Sequence, residues 1–275
     1  MRTPHRPKLG QHFLHDSRYR SLITDALPLA AGEVVIEIGP GKGAMTSLLA
    51  ARARKVIGIE LDRALARSLQ EDFRDDRRVE IILGDVLDVD FAALCRQEGA
   101  AQGFVFGNLP YYITSPILHH LFAQRESICA MGLLMQREVA DRLTAVPGTR
   151  DYGYLTIATQ LYSQPQAVLS VPPGAFSPPP KVQSALVTFQ MKARFDLWPQ
   201  PVCDGFLNFV KRGFAQKRKN LLNNLAPIYS RNRIMQALEQ AGRPAGARAE
   251  QLSLEELAAI FEFLTRPPGR TPAGD

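Results

Sequence analysis

The sequence predicts an α/β fold in which a mostly parallel β-sheet is covered by helices and followed by a small all-helical region. Short apolar runs of strand character alternate with helical patterns in the first half of the 275-residue chain, which is typical of a parallel sheet with helices on both faces. From about residue 196 the pattern is helical to Thr265. We therefore predict a sheet-containing domain over residues 1–195, a helical domain over 196–265 and a disordered tail over 266–275.

Five strands are predicted before residue 140, and each is followed by a glycine or a polar residue. Their ranges are Val34–Ile38, Lys55–Ile59, Val79–Leu83, Phe104–Phe106 and Met131–Met135. Helical patterns follow over residues 44–53, 62–73, 115–122 and 137–146, and Asp62 is a suitable N-cap for the second of them. The carboxyl ends of parallel strands share one edge of the sheet, where such folds bind ligands.

The second half begins with a predicted helix, Tyr154–Tyr162. Two strands that we expect to pair antiparallel follow it, Gln166–Val171 and Ser184–Gln190. The link between them, residues 172–181, contains five prolines. Since proline lacks an amide hydrogen and fixes φ, the link is expected to form neither helix nor strand.

Charge is distributed unevenly along the chain. The net charge is +6; residues 1–150 carry 19 basic and 18 acidic residues, whereas residues 151–275 carry 14 and 9. The densest stretch, Gly205–Met235, has seven basic residues and no acidic one. Such a stretch favours a polyanion as partner, although an ordinary solvated surface is an equal alternative from composition alone.

Composition argues against several other classes of protein. No apolar run approaches the ~20 residues that span a bilayer, and no apolar segment follows the basic start, which argues against a secretory signal. The three cysteines, Cys95, Cys129 and Cys203, are far apart. They suggest neither a disulfide framework nor a zinc site, so a cytoplasmic protein without membrane association is expected.

Residues typical of a nucleotide-containing ligand site follow the first three strands. Gly39, Gly41 and Gly43 allow a tight turn and a close approach of the backbone. Glu60 can accept hydrogen bonds from both hydroxyls of a ribose, and Asp85 can accept one from an adenine amine. NAD and S-adenosylmethionine both suit this pattern, and a plain turn with a surface carboxylate is the simpler alternative. The GxGxG spacing weakens the dinucleotide interpretation, and the absence of Gly-Lys-Ser/Thr excludes a Walker loop.

Asn108, Leu109, Pro110 and Tyr111 follow the fourth strand and predict the reaction centre. The exocyclic amine of adenine is a poor nucleophile because its lone pair is delocalised into the ring. Two acceptors for its N–H groups would aim that lone pair at a methyl group: the Asn108 side-chain carbonyl, and a backbone carbonyl near Leu109 or Pro110. Tyr111 offers a stacking face. Positioning and charge stabilisation supply the acceleration without a metal; an ordinary strand-ending turn is the alternative.

With these motifs in order, the chain resembles the small-subunit ribosomal RNA adenine N6,N6-dimethyltransferases over nearly its whole length. The motifs that carry the resemblance are Lys8–Leu14, Glu37–Gly41, Ile59–Asp62, Gly84–Asp85, Gly107–Tyr111, Gln136–Leu143, Phe176–Val182 and Phe214–Leu221. The resemblance implies a seven-stranded Rossmann-like S-adenosylmethionine methyltransferase sheet and a small helical C-terminal domain. It also implies dimethylation of two adjacent adenosines near the 3′ end of small-subunit rRNA, within a pre-ribosomal particle and coupled to late assembly.

The resemblance also implies roles for individual residues. Cofactor contacts are implied at Gln11, His12, Leu14, Gly39, Gly41, Glu60, Asp85 and Asn108. Phe176 is implied as a second stacking face opposite Tyr111, whereas from the residues alone it would be interpreted as a core residue. Tyr112 and His12 depart from the asparagines that many members have at these positions. Those departures affect the fine shape of the pocket and the geometry of one contact.

RNA binding is predicted for a set of basic residues near the start of the helical domain, since such side chains neutralise phosphates. The set is Lys211, Arg212, Lys217, Arg218 and Lys219. Arg2, Arg6 and Lys8 can add to the same field, and a monomer is expected.

Two rival functions remain open from sequence. One is a different enzyme, either a large-subunit rRNA adenine methyltransferase of the antibiotic-resistance type or a DNA adenine methyltransferase. The other is a ribosome assembly factor or transcription factor that kept the fold without catalysis. The loop at Phe176–Val182 and the segment from Phe214 favour the small-subunit family, and intact Glu60, Asp85 and Asn108 favour an active enzyme.

Overall fold

The computed structural model describes residues 11–110, 113–192, 194–195 and 198–266. The first helices and strands alternate: β1 Phe13–Leu14, α1 Ser17–Ala26, β2 Val34–Ile38, α2 Thr46–Ala50, β3 Lys55–Glu60, α3 Arg63–Asp72, β4 Val79–Leu83, α4 Phe91–Gln97, β5 Gly103–Asn108, α5 Thr114–Ala123 and β6 Ile128–Gln136. Of these, β1, α1 and α4 were not predicted from the sequence, and the other eight elements were. The remaining elements are α6 Arg137–Leu143, α7 Tyr154–Tyr162, β7 Ser163–Val171, β8 Phe176–Ser177, β9 Ser184–Met191, α8 Gln200–Gly213, α9 Leu221–Leu225, α10 Arg231–Gln240 and α11 Leu254–Thr265.

The chain forms two compact units. The first comprises the described residues of Met1–Asp141 and Tyr162–Lys192, and the second those of Arg142–Leu161 and Ala193–Asp275. The predicted division lay near residue 195 and left residues 142–161 in the first domain. In the structure this segment belongs to the second unit, where the Gly148 amide donates to the Glu250 carbonyl at 2.7 Å and the Tyr152 hydroxyl to the Leu252 carbonyl at 2.9 Å.

A seven-stranded sheet forms the centre of the described part of the first unit. Its strand order is β4-β3-β2-β5-β6-β9-β7. The first five strands in this order, β4, β3, β2, β5 and β6, pair parallel with their neighbours. Strand β9 pairs antiparallel with both β6 and β7. The α/β fold class and the seven strands are confirmed. All five residues of β2 are buried, as expected for a central strand covered on both faces.

Helix capping fixes where the chain leaves the sheet edge. The Asp62 carboxylate accepts hydrogen bonds from the Ala64 and Leu65 amides and caps α3, as predicted for this residue. Asp16 caps α1 in the same way. Both caps follow segments that contribute to the pocket described below, so the local sequence also determines how those segments enter their helices.

The proline-rich link differs from its prediction at two points, because Pro173–Ala175 form a single 3₁₀ turn and the next two residues form a strand. Phe176 and Ser177 form β8, which pairs antiparallel with β1 so that Leu14 lies opposite Phe176 and Phe13 opposite Ser177. These two residues keep their amide hydrogens although prolines follow them, and their partner lies near the start of the chain. The prediction that the whole link forms neither helix nor strand was therefore wrong for residues 173–177.

The described elements of the second unit are helices with an aromatic core. Trp198 contacts Phe206 and Phe261 at ring-centroid distances of 5.2 and 5.8 Å. The capping box of Ser253 and Glu256 starts α11, and Glu256 also forms an ion pair with Arg243 at 2.7 Å. The helical pattern predicted from residue 196 to Thr265 is confirmed for the described residues.

Candidate active site

The glycine-rich loop after β2 has a backbone conformation that favours glycine. Gly39, Gly41 and Gly43 have φ values of 63°, 63° and 73°, in the left-handed region that side chains disfavour. The Gly39 amide donates to the Ile59 carbonyl at 2.9 Å, which fixes the loop against the end of β3. A Cβ atom on Gly41 would lie 3.0 Å from Cε1 of Phe13. Glycine is thus favoured at position 41 both by the backbone angle and by the tight space beside Phe13.

The Glu60 carboxylate lies at the end of β3 and is held by two backbone amides. Gly41 donates to its Oε2 at 2.9 Å and Asp62 to its Oε1 at 2.9 Å. The residue is only 2% exposed. Each carboxylate oxygen can accept a further hydrogen bond, so Glu60 is preoriented for two hydroxyl donors such as those of a ribose.

A second buried carboxylate, which sequence reasoning did not assign, lies near the end of β2. Glu37 is 2% exposed and lines the same pocket as Glu60. Burial raises the pKa of Glu37 to about 7; the hydrogen bond that Thr46 Oγ1 donates at 2.7 Å opposes this rise, and the charge of Glu60 adds to it. An ionisable residue inside a fully buried strand is the signal that could have identified it.

Asp85 follows β4 and is held by a local turn. Its Oδ1 accepts a hydrogen bond from the Leu87 amide at 3.0 Å, which caps the short 3₁₀ turn Val86–Asp88. The side chain lines the pocket that contains Glu37 and Glu60. An ionised carboxylate has acceptor capacity beyond this one bond, so Asp85 can still receive a ligand amine.

Asn108 ends β5, and its amide group is oriented by the N-terminal segment. Its Nδ2 donates to the His12 carbonyl at 3.0 Å, in the amide orientation that this contact selects. With the NH₂ group used as the donor there, Oδ1 is the acceptor that the side chain offers. His12 is itself tied to the proline-rich link, because its Nδ1 lies 2.7 Å from the Pro178 carbonyl.

The two candidate backbone acceptors after Asn108 have different surroundings. The Pro110 carbonyl accepts from the Ile113 amide at 3.2 Å and from Thr114 Oγ1 at 3.1 Å. Those two bonds use both of its lone pairs at the start of α5. The Leu109 carbonyl accepts neither of these two hydrogen bonds. The Leu109 amide donates to the Leu134 carbonyl at 2.9 Å. Leu109 is therefore the better source of a second acceptor.

These elements enclose one pocket of about 350 Å³. It is lined by all eight residues for which cofactor contacts were expected, namely Gln11, His12, Leu14, Gly39, Gly41, Glu60, Asp85 and Asn108. Leu109 and Pro110 line it as well. The convergence follows from the sheet, since β2, β3, β4 and β5 are parallel and end at the same edge. Residues not assigned from sequence also line it, among them Arg20, Glu37 and Lys42.

Phe176 is in the core rather than at the pocket. Its ring is 2% exposed and packs in a hydrophobic cluster with Leu14, Ile23 and Leu186. Ser177 lines the pocket instead. Successive residues of a strand point to opposite sides, so the pairing that brings Ser177 to the pocket turns Phe176 inward. The expectation that Phe176 is presented for stacking does not hold in this conformation.

Some expected positions fall outside the described residues. They are Tyr111 and Tyr112 of the reaction-centre motif, the basic residues Arg2, Arg6 and Lys8, and the tail from Pro267 onward. The stacking face assigned to Tyr111 and the contribution of the N-terminal basic residues therefore stay predictions.

The basic residues expected to bind RNA form an exposed cluster in the second unit. Lys211 and Arg212 occupy the last turn of α8, where cations interact favourably with the helix dipole. Lys217, Arg218 and Lys219 lie in the turn before α9. Within the described residues, none of the five forms an ion pair with a carboxylate. This basic cluster is therefore an uncompensated positive surface.

The described residues lack two further features. In that part of the chain, no group of three or more His, Cys, Asp or Glu side chains is arranged to hold a metal ion. No described helix is both long enough and apolar enough to cross a membrane.

Comparison with known sequences shows which proteins the chain is similar to. The family model for ribosomal RNA adenine dimethylases matches residues 2–266. A protein from Acidobacterium capsulatum named ribosomal RNA small subunit methyltransferase A is 48% identical over 262 residues, which cover 94% of this chain and 91% of that protein. A protein of the same name from Koribacter versatilis is 38% identical, and 94% of each chain is covered.

Solved structures show the same fold. A dimethyladenosine transferase from Plasmodium falciparum superimposes with a TM-score of 0.77 and 25% identity over 90% of this chain and 96% of its own. The 23S rRNA methyltransferase ErmE superimposes with a TM-score of 0.73 and 29% identity over 92% of this chain and all of its own. With the family match extending over residues 2–266 and a relative 48% identical along nearly its whole length, the chain belongs to the ribosomal RNA adenine dimethylase family.

Proposed function

We propose that this protein transfers methyl groups from S-adenosylmethionine to N6 of two adjacent adenosines near the 3′ end of small-subunit rRNA, giving N6,N6-dimethyladenosines. The observation that carries the proposal is the position of Asn108 at the pocket, with its NH₂ group bonded to the His12 carbonyl and its Oδ1 offered as an acceptor. Family membership and the names of the relatives support the rRNA substrate. The protein acts as a monomer in the cytoplasm, on a pre-ribosomal particle late in assembly.

The pocket fits the cofactor in size and in its polar groups. Its volume of about 350 Å³ lies within the ~300–1,000 Å³ typical of small-molecule sites. Glu60 offers acceptors to ribose hydroxyls and Asp85 offers one to the adenine amine. Three acidic residues, Glu37, Glu60 and Asp85, and two cations, Arg20 and Lys42, line the pocket. This mixed lining suits a cofactor that carries both a sulfonium and a carboxylate better than the doubly charged pyrophosphate of a dinucleotide. When bound, S-adenosylmethionine supplies an electrophilic methyl group on a sulfonium sulfur.

Asn108 and Leu109 activate and hold the target amine. Asn108 Oδ1 accepts one N–H of the amine, and the Leu109 carbonyl accepts the other because the Pro110 carbonyl is already bonded twice. Both acceptors stabilise the positive charge that develops on nitrogen as the methyl group is transferred. Loss of one preorganised group of this kind costs about 10²–10³ in rate.

Stacking of the target base requires an aromatic face, and Tyr111 supplies it in this proposal. Phe176 can supply the opposite face only if it leaves the cluster in which it packs with Leu14 and Leu186. Because Leu14 is also its strand partner, separation of β1 from β8 has to accompany that movement.

The basic cluster of the second unit binds the phosphate backbone. Reversal of Lys217, Arg218 and Lys219 to glutamate is expected to abolish RNA-dependent methylation and to leave cofactor binding intact, since phosphate contacts supply sequence-independent affinity. A matched control replaces Arg63, Arg67 and Arg77 by glutamate. These residues are exposed in the first unit, and their replacement changes the net charge by the same amount. Unchanged turnover of the cluster variant on the assembled substrate would contradict the assignment.

A large-subunit rRNA methyltransferase is the second candidate, because ErmE shares the fold at a TM-score of 0.73. The small-subunit function is preferred because small-subunit relatives reach 48% identity and the 23S enzyme 29%. The test offers the protein, with S-adenosylmethionine, under-methylated small subunits and unmodified large-subunit rRNA in parallel. Mass spectrometry of nuclease fragments should show two adjacent dimethylated adenosines in the small subunit. Transfer only to large-subunit rRNA favours the second candidate, and no transfer to either rejects the enzyme in favour of a binding-only assembly factor.

A further inference from the structure

A second recess of about 380 Å³ adjoins the pocket of the first unit. Its polar lining consists of Ser17, Arg20, Ser21, Lys42 and Ser47, and no acidic residue lines it. Arg20 and Lys42 also line the first pocket. Two cations and three hydroxyls without a carboxylate form the donor set of an anion site.

Neither cation of this recess forms an ion pair with a carboxylate of the described residues. The Arg20 Nε atom is buried and has no hydrogen-bond partner. The nearest acid along the chain, Asp16, accepts instead from the Arg18 and Tyr19 amides. Nζ of Lys42 lies 5.0 Å from the centroid of the Phe13 ring. A buried N–H donor without a partner is costly, so an anion that satisfied Arg20 would be bound favourably.

We infer that Arg20 and Lys42, together with the serine hydroxyls, bind a backbone phosphate of the RNA substrate next to the target adenosine. This inference rests on the proposed function. A base that reaches Asn108 brings its own sugar and phosphates to the mouth of the pocket, and the recess shares two residues with that pocket. Mixed cationic and hydroxyl donors are the usual partners of nucleic-acid phosphates. The recess therefore sets the register of the strand while Asn108 receives the base.

The same chemistry could come from a second source, the carboxylate of the cofactor. The two sources predict different results in equilibrium binding, so both ligands are measured. The variants are Arg20→Met, Lys42→Met and the double variant, in which methionine keeps much of the apolar volume. The matched control is Arg63→Met combined with Arg67→Met, since both residues are exposed on α3 and removal of both changes the net charge equally.

The experiment measures affinity for an unmethylated RNA fragment that contains the two target adenosines, over a series of salt concentrations and without cofactor. For single-stranded RNA each lost phosphate contact lowers the slope of log affinity against log salt by about 0.7. Because both cations are assigned to one phosphate, we expect the double variant to lose about 0.7 from that slope. It should keep its calorimetric affinity for S-adenosylmethionine within about threefold, which is about half of a tenfold step in free energy. The control should keep the wild-type slope.

Three results would overturn the inference. A weaker affinity for S-adenosylmethionine with an unchanged salt slope would assign the two cations to the cofactor carboxylate. Wild-type affinity for both ligands would show that the recess binds neither the RNA phosphate nor the cofactor carboxylate. An equal loss of slope in the control would attribute the effect to net charge. Binding is measured without turnover, so none of these results depends on whether the wild-type protein methylates small-subunit RNA.

Discussion

Replacement of Glu37 by glutamine is expected to stabilise the first unit at neutral and alkaline pH. Glu37 is 2% exposed, and burial, with a contribution from Glu60, raises its pKa from 4.5 to about 7 despite the hydrogen bond from Thr46. Glutamine keeps the shape of the side chain and an acceptor for the Thr46 hydroxyl. The substitution therefore removes the buried charge with little change in packing.

The magnitude follows from linkage between protonation and folding. One pKa unit corresponds to about 1.4 kcal/mol, so the rise from 4.5 to about 7 makes full ionisation cost about 3 kcal/mol of stability. The folded pKa is the higher one, so this contribution is complete below pH 4.5 and is lost as the pH rises through 7. Between pH 5 and 8 the wild-type protein should lose about 2.5 kcal/mol that the glutamine variant keeps.

The assay is urea unfolding without ligand at several pH values, followed by far-ultraviolet circular dichroism and by hydrogen exchange of peptides from β2. Trp198 is the one tryptophan of the sequence and packs in the second unit, so its fluorescence monitors the unit that lacks Glu37. The matched control is Glu126→Gln, whose parent side chain is 85% exposed. It should change stability by less than about 0.5 kcal/mol.

A stability difference between Glu37→Gln and wild type that is the same at pH 5 and pH 8 would refute this prediction. A variant that is less stable than wild type at every pH would refute it as well, because the Glu37 side chain would then stabilise the folded state in both protonation states. Carboxyl groups of the second unit, such as Glu255 and Glu256, whose pKa values are lowered, are common to both proteins and cancel in the comparison.

Three further predictions concern single residues. Gly41→Ala should weaken cofactor affinity at least about tenfold by calorimetry, because it adds a tight contact with Phe13 to the ~1–2 kcal/mol cost of the left-handed backbone. The control Gly99→Ala, at a position with φ 65° and open space at Cβ, should keep that affinity. Equal affinity of both variants would contradict the role of the loop. Tyr152→Phe should cost the second unit about 1–3 kcal/mol by tryptophan fluorescence, since it leaves the buried Leu252 carbonyl without its donor; a loss below about 0.5 kcal/mol would show that the bond contributes little. Phe176→Ala should cost about 3–5 kcal/mol in urea unfolding because the ring is buried, whereas unchanged stability with lost methylation would mean that the ring is presented to the base.

The parallel strands could be predicted from sequence because their signals are local. The strand Val34–Ile38, which is mostly apolar and is followed by Gly39, is found as predicted. The rule that parallel strands end at one edge was sufficient to bring Glu60, Asp85 and Asn108 to one pocket. Each of these positions depends on the strand that precedes it rather than on distant contacts.

Features that depend on distant partners could not be predicted in the same way. Phe176 is turned into the core by pairing with Leu14, which lies at the other end of the first unit's sequence. Residues 142–161 join the second unit through bonds such as that between Tyr152 and Leu252. The Glu37 carboxylate could have been noticed as an ionisable group within a buried strand, although its hydrogen bond to Thr46 is visible only in the structure.

Asn108 Oδ1 is proposed to accept a hydrogen bond from the target amine. The most direct test of this role compares methylation by Asn108→Ala and by wild type on under-methylated small subunits. Mass spectrometry counts the methyl groups added to rRNA, while calorimetry and equilibrium binding measure affinity for S-adenosylmethionine and for RNA. We expect transfer to fall by about 10²–10³ while both ligands still bind. Methylation by Asn108→Ala at the wild-type rate would contradict the account.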